Sequence, residues 1–224
     1  MHHPLRDLID SQGNYFIELK CEILRTLIRQ EKKTSSELCV IDIGAGLGFF
    51  EKILFTEFKQ LLAVDLSREM LHVARGLNPY PAGAAGSYLC GDSLQLPFPD
   101  RAADIVFASC MFHHMDHSQI IPALREMQRV CSSNGHVVIF EHNPINPVTQ
   151  FVVRTTSLDR NARLISAQKL RSCFSSATLQ IIESHYILYG PRTIDSLLAR
   201  SFPFLRNMPL GGQYCIVGRP ALRS

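Results

Sequence analysis

The 224-residue chain is long enough to bury one sizeable core and too short for two domains of ordinary size, so one domain with appendages is expected. Its 46% hydrophobic and 19% charged residues are ordinary globular values that exclude a disordered chain. No apolar run approaches bilayer-spanning length, "MHHPLRDLIDSQ" carries charges where a signal peptide needs an apolar core, and seven cysteines lack C-x-x-C spacing, so a reducing cytoplasm is expected.

In chain order, the first stretch reads as helix. Phe16, Leu19, Ile23, Leu27 and Ile28 return at three- and four-residue intervals, with a break near Gly13. This predicts an N-terminal helical segment over 1–38. "LCVIDIGAG", "LLAVDLS", "SYLCGD", "ADIVFAS" and "GHVVIFEH" then read as strands with helical stretches between several of them. Strands this uniformly apolar are buried on both faces, which indicates an α/β fold with a mostly parallel sheet. A core over 39–142 is expected. Beyond His142 the prolines and asparagines of "NPINPVTQF" predict a substrate-side insertion with a helix over 143–178. Residues 179–224 supply two last strands, near Leu179–Leu188 and Gln213–Gly218, around a lid segment.

The chemistry begins in "VIDIGAGLGFFEKIL". A dinucleotide fingerprint reads G-x-G-x-x-G, but here Gly44, Gly46 and Gly48 alternate and Phe49 stands where the third glycine belongs, so the spacing is wrong for NAD. A strand ending at Asp42 that turns through small residues into a helix brings backbone N–H groups against a ligand. Asp42 itself either braces the turn or joins a cofactor shell through water. Asp65, followed by Leu66, ends the next strand, where a carboxylate accepts both hydroxyls of a ribose. Asp92 and Ser93 follow the third strand and offer groups for an adenine edge.

These residues, together with "LPFPDRAADIVFASCMFHHM" and "RVCSSNGHVVIFEH", resemble the class I methyltransferases that use S-adenosylmethionine. Among them the chain is similar to the small-molecule branch that includes quinone-biosynthesis methyltransferases. The resemblance covers about Cys39 to His142 and implies a Rossmann-like seven-stranded sheet with helices on both faces and a final antiparallel strand. It implies S-adenosylmethionine as cofactor. Gly44, Gly46 and Gly48 would line its methionine part, Asp65 its ribose, and Asp92 with Ser93 its adenine, with Ser109 under the methionine amino group. A methyltransferase-fold protein that binds the cofactor as a sensor or partner subunit is the alternative. The N-P-P-Y/F signature of base-methylating enzymes is absent, so no nucleic-acid partner is expected.

A sulfonium already carries an activated methyl group, so such catalysis rests on alignment and exclusion of water, with a general base where the acceptor keeps its proton. His114 and His142, each just past a strand end, are the catalytic candidates, with Glu141 a weaker third; either histidine otherwise serves as a loop or second-layer hydrogen-bonding group. In "FHHMDH", His113 and His117 have helical i, i+4 spacing, but adjacent side chains seldom converge on one ion, and no metal is expected.

Charge is unevenly placed. Residues 1–141 hold 13 Lys and Arg against 17 Asp and Glu, whereas residues 142–224 hold 10 against 3. Nine of those ten cations are arginines, whose planar fork suits carboxylate and phosphate oxygens. Leu197, Leu198, Phe202, Phe204 and Leu205 lie among them. A small acidic or lipid-linked acceptor gripped by arginines from Arg154–Arg206 is expected; so is peripheral contact with an anionic membrane surface, and a merely soluble basic face is the bland alternative.

Overall fold

The computed structural model describes residues 13–30, 37–55, 57–58, 60–80, 85–156 and 162–221. Helix α1 spans Gly13–Gln30. The part of the N-terminal segment before residue 13 lies outside the described residues. Five strands follow: β1 (Cys39–Ile43), β2 (Gln60–Asp65), β3 (Ala85–Cys90), β4 (Ala103–Ser109) and β5 (Cys131–His142). Between them run α2 (Phe49–Leu54), α3 (Arg68–Leu77) and α4 (His117–Val130). Helices α5 (Pro147–Thr155) and α6 (Ala167–Ser176) precede β6 (Leu179–Ile187), and α7 (Arg192–Ser201) with a short 3-10 turn (Pro203–Asn207) separates it from β7 (Gln213–Pro220).

The seven strands form one sheet in the order β3-β2-β1-β4-β5-β7-β6. The first five are parallel, and β7 runs antiparallel to both β5 and β6. Both faces are covered, which explains the uniformly apolar strands. Ile41 and Ile43 of β1 pack into a cluster with Ile120, Leu124 and Met127 of α4 and Leu170 and Phe174 of α6. Val40 points the other way, into a cluster with Leu24 and Leu27 of α1, Leu54 of α2 and Leu71 of α3. Alternation within one strand thus feeds two cores.

Helix starts are written locally. Ser67 Oγ accepts from Met70 N at 3.1 Å at the head of α3, Asn146 Oδ1 accepts from Thr149 N at 3.0 Å at the head of α5, and Asp116 with Gln119 forms a capping box on α4. Chain order reverses between β1, which leads to β2 and β3, and β4, which leads to β5. Such a switch opens a crevice at the carboxyl ends of the strands.

The stretch 143–178 divides in two and is not all insertion. Helix α5 carries exposed Val148 and Phe151, whereas α6 sinks Leu170, Cys173 and Phe174 into the core as an ordinary sheet-covering helix. Among the described residues no helix is long and apolar enough to cross a membrane.

Candidate functional site

The crevice is a cleft of about 650 Å³ walled by the ends of β1, β2 and β4, the loop after β3, and α1. At its centre the β1–α2 turn bends back on the sheet, with Gly44 N and Ala45 N both donating to Val64 O, at 2.7 and 3.0 Å. Gly44 has φ +77°, and a Cβ there would stand 2.8 Å from Met111 Cγ, so a side chain is barred both by backbone and by space. Gly46 N donates to Asp65 Oδ2 at 2.8 Å, while Ser67 N donates to Oδ1 at 2.9 Å. The Asp65 carboxylate is therefore fixed in direction at the end of β2. Leu66 beside it is 72% exposed on the cleft wall.

Gly48 corrects the sequence expectation. It does not line the cleft; a Cβ on it would meet Tyr88 Oη at 2.8 Å and Ala74 Cβ at 3.3 Å, so it lets α2 approach β3 and α3. The alternating pattern thus carries two cleft-lining glycines and one packing glycine.

Asp92 and Ser93 line the cleft after β3, with Asp92 Oδ1 accepting from Leu94 N at 2.8 Å. Ser109 lines it at the end of β4, and its Oγ accepts from Lys20 Nζ at 2.9 Å. Lys20 was not singled out in the sequence. It is 3% exposed, its Nζ lies 5.7 Å from the centroid of the Phe140 ring, and it forms part of the cleft wall. The available signal is a lysine on the apolar stripe of α1, with Phe16 at i−4 and Leu24 at i+4.

Asp42 also lines the cleft yet is buried, because β1 turns it toward the face covered by α2. There it meets Glu51, also buried. Burial first, then the Glu51 carboxyl, pushes Asp42 well above the usual carboxylate range, and burial pushes Glu51 up to about 7. Buried side by side, the two carboxyls oppose each other's ionisation, which a shared proton relieves.

The histidines after β4 and β5 separate. His113 is buried, with Nδ1 2.8 Å from Glu141 Oε2, and Phe112 N donates to Glu141 Oε1 at 2.7 Å. Burial alone would raise Glu141, but the His113 hydrogen bond and the neighbouring histidines hold it below the usual range. His114 turns outward onto the cleft wall, its ring 4.1 Å from that of His113. His142, contrary to expectation, is not on the cleft wall. It lies behind Cys110, and burial, which would lower it, is outweighed by Cys110 and Glu141, which raise it. Glu141 is committed to bracing the turn after β4. Among the described residues no three His, Cys, Asp or Glu side chains are placed to hold a metal ion.

No arginine lines this cleft among the described residues. Arg163 pairs with Asp116, Arg192 with Glu18 at 3.4 Å, and Arg206 with Glu183. Arg154 and Arg200 are exposed. Arg160 and Arg223 lie outside the described residues.

Residues 41–139 match the family described as methyltransferase domain. The chain is 30% identical over 190 residues to the biotin biosynthesis bifunctional protein BioHC of Cellvibrio japonicus, covering 83% of this chain and 37% of that protein. It is 38% identical over 101 residues to malonyl-[acyl-carrier protein] O-methyltransferase of Serratia marcescens, covering 45% and 36%. The chain thus spans little more than a third of the length of these relatives. Its fold matches the YcgJ protein of Bacillus subtilis with a TM-score of 0.62 and 24% identity, over 89% of this chain and 98% of that one.

Proposed function

We propose that this chain, which carries a class I S-adenosylmethionine-dependent methyltransferase domain, transfers the donor's methyl group to a small acidic acceptor. The observation that carries the reading is the convergence on one cleft of a buried cation, a glycine turn too tight for a side chain, and an aimed carboxylate. These suit the amino-acid and ribose parts of the donor in turn. Lys20 would oppose the donor carboxylate, Gly44 and Gly46 admit the methionine chain, Asp65 accept from the ribose hydroxyls, and Asp92 with Ser93 face the adenine. When bound, S-adenosylmethionine supplies an electrophilic methyl group on a sulfonium.

The protein's own contribution is alignment and a proton acceptor. His114 is the better base of the two histidines, because it stands on the cleft wall beside the anchored His113. His142 lies off the cleft wall behind Cys110, where burial, which would lower its imidazole, is outweighed by Cys110 and Glu141, so it is the poorer-placed of the two.

An acidic acceptor with an apolar part is supported by the surface over the carboxyl ends of β5 and β6. Asn146 Nδ2 donates to Leu210 O at 2.7 Å, which ties the loop before β7 to the head of α5. Exposed Ile145, Val148, Phe151 and Leu210 lie on these two segments, with exposed Arg154 on α5. The Serratia marcescens relative is named for a malonyl group, which is acidic.

Purified protein incubated with labelled donor and matched acidic and neutral acceptors tests the reading. Label passes to the acidic member, less so at high salt, and His114→Asn lowers kcat about 10²-fold or more with little change in donor affinity. Donor binding without transfer to any acceptor would indicate a sensor or partner subunit instead.

A further inference from the structure

Cys110 stands first after β4, on the cleft wall, with φ +55° in the left-handed region that side chains rarely adopt. Its N donates to Phe140 O at 2.8 Å, which locks the turn. Hydrogen-bond donors converge on its sulfur from separate elements: Lys20 Nζ at 3.7 Å from α1 and Gln213 Nε2 at 3.4 Å from β7. Gln213 Nε2 also lies 3.4 Å from His142 Nδ1, so amide, imidazole and sulfur form one cluster. A thiol ringed by an ammonium and an imidazole loses its proton and keeps the sulfur as an anion.

We propose that Cys110 is a thiolate modification site for soft electrophiles and hydroperoxides, and that capping its sulfur closes the cleft to the methyl donor. The first half rests on the cluster alone; the second rests on the donor site proposed above. Charge bears it out. Burial would raise the thiol, but His142 and Lys20 together outweigh burial and Glu141 and hold it at about 6. The Tyr214 phenol of β7, whose Oη donates to Ile165 O at 2.8 Å, is raised by burial and adds no charge.

In the peroxide reaction the thiolate attacks one peroxide oxygen. An S–O bond forms and the O–O bond breaks; the sulfur is oxidised by two electrons to sulfenic acid, and the leaving oxyanion takes a proton to depart as water from hydrogen peroxide or as an alcohol from an organic hydroperoxide. A small thiol reverses this through a mixed disulfide, releasing water and then the oxidised thiol. With iodoacetamide an S–C bond forms and iodide leaves.

The test is alkylation of the whole chain by iodoacetamide from pH 5 to 9, with each cysteine quantified by peptide mass spectrometry. The expected rate at Cys110 is half-maximal near pH 6. At that pH it exceeds a cysteine model peptide by about tenfold, because the greater thiolate fraction outweighs the lower nucleophilicity. His142→Asn moves the half-point up by about one unit or more. After full alkylation, or after peroxide treatment, donor binding by calorimetry falls at least tenfold; dithiothreitol restores it only in the peroxide-treated sample, and dimedone added to a separate peroxide-treated aliquot identifies the sulfenic acid by its irreversible thioether. A half-point above pH 8, or no reaction at Cys110, overturns the thiolate. Donor affinity unchanged by complete modification overturns the closure. A chain that alkylates with a half-point near 6 but never binds the donor keeps the thiolate and refutes the proposed function.

Discussion

Replacing Lys20 by methionine should weaken donor binding while leaving the fold as stable as before or more so. Lys20 is 3% exposed and its Nζ donates to Ser109 Oγ at 2.9 Å and to Cys110 Sγ at 3.7 Å, so it has given up most of its water for a hydroxyl, a sulfur and a ring face. A donor carboxylate that reaches it forms a charge-assisted hydrogen bond worth about 1.5–3 kcal/mol, a rise in Kd of about 10- to 150-fold on its removal. Methionine keeps the length of the stem and removes a desolvated charge, and the Cys110 sulfur can take up a proton once the ammonium is gone, so the melting temperature should hold or rise. Calorimetry with S-adenosylmethionine and with its decarboxylated analogue separates the causes, since the substitution should cost affinity for the first and little for the second. Equal losses on both donors, or an unchanged Kd with a lowered melting temperature, would refute the reasoning and make Lys20 a packing residue.

Asp65→Ala removes the acceptor that orients Gly46 N and Ser67 N, and should weaken the donor by about 1.5–3 kcal/mol in the same assay, with the far-ultraviolet dichroism unchanged. Gly44→Ala should cost about 1–2 kcal/mol of stability from its left-handed backbone, and more from the 2.8 Å approach to Met111; adding Met111→Ala should recover only the second part, as read by urea midpoints. Glu51→Gln should remove a pH dependence. The folded carboxyl keeps its proton up to about 7 while the unfolded one releases it near 4.5, so the folded state binds more protons between those values and the native chain loses stability as pH rises through that window. The gap between variant and native chain should therefore move in the variant's favour by up to about 3 kcal/mol between pH 4.5 and 8; a gap constant across pH would reject the shared proton.

Much of the frame was legible because it depends on neighbours in sequence. Apolar runs such as "VIDI" and "ADIVFAS" determine strands buried on both faces, and the places where those runs stop put Asp65, Asp92 and Ser109 at one edge of the sheet. The turn at Gly44 is equally local, since a strand must reverse there within a few residues. What the tertiary structure alone decided are the pairings between distant groups. Lys20 meets Ser109 across 89 residues, and the helix pattern marks it only as an exception on an apolar stripe. Gly48 shares its spacing with Gly44 and Gly46, but α3 and β3 claim it for packing. His113, His114 and His142 read alike, and only the register of β4 beside β5 sends one to Glu141, one to the cleft and one behind Cys110. The basic half of the chain likewise spends Arg163, Arg192 and Arg206 on acidic partners drawn from other elements. Local sequence sets backbone shape and the apolar face, whereas the charge that opposes a given charge is chosen by which strands and helices the fold brings side by side.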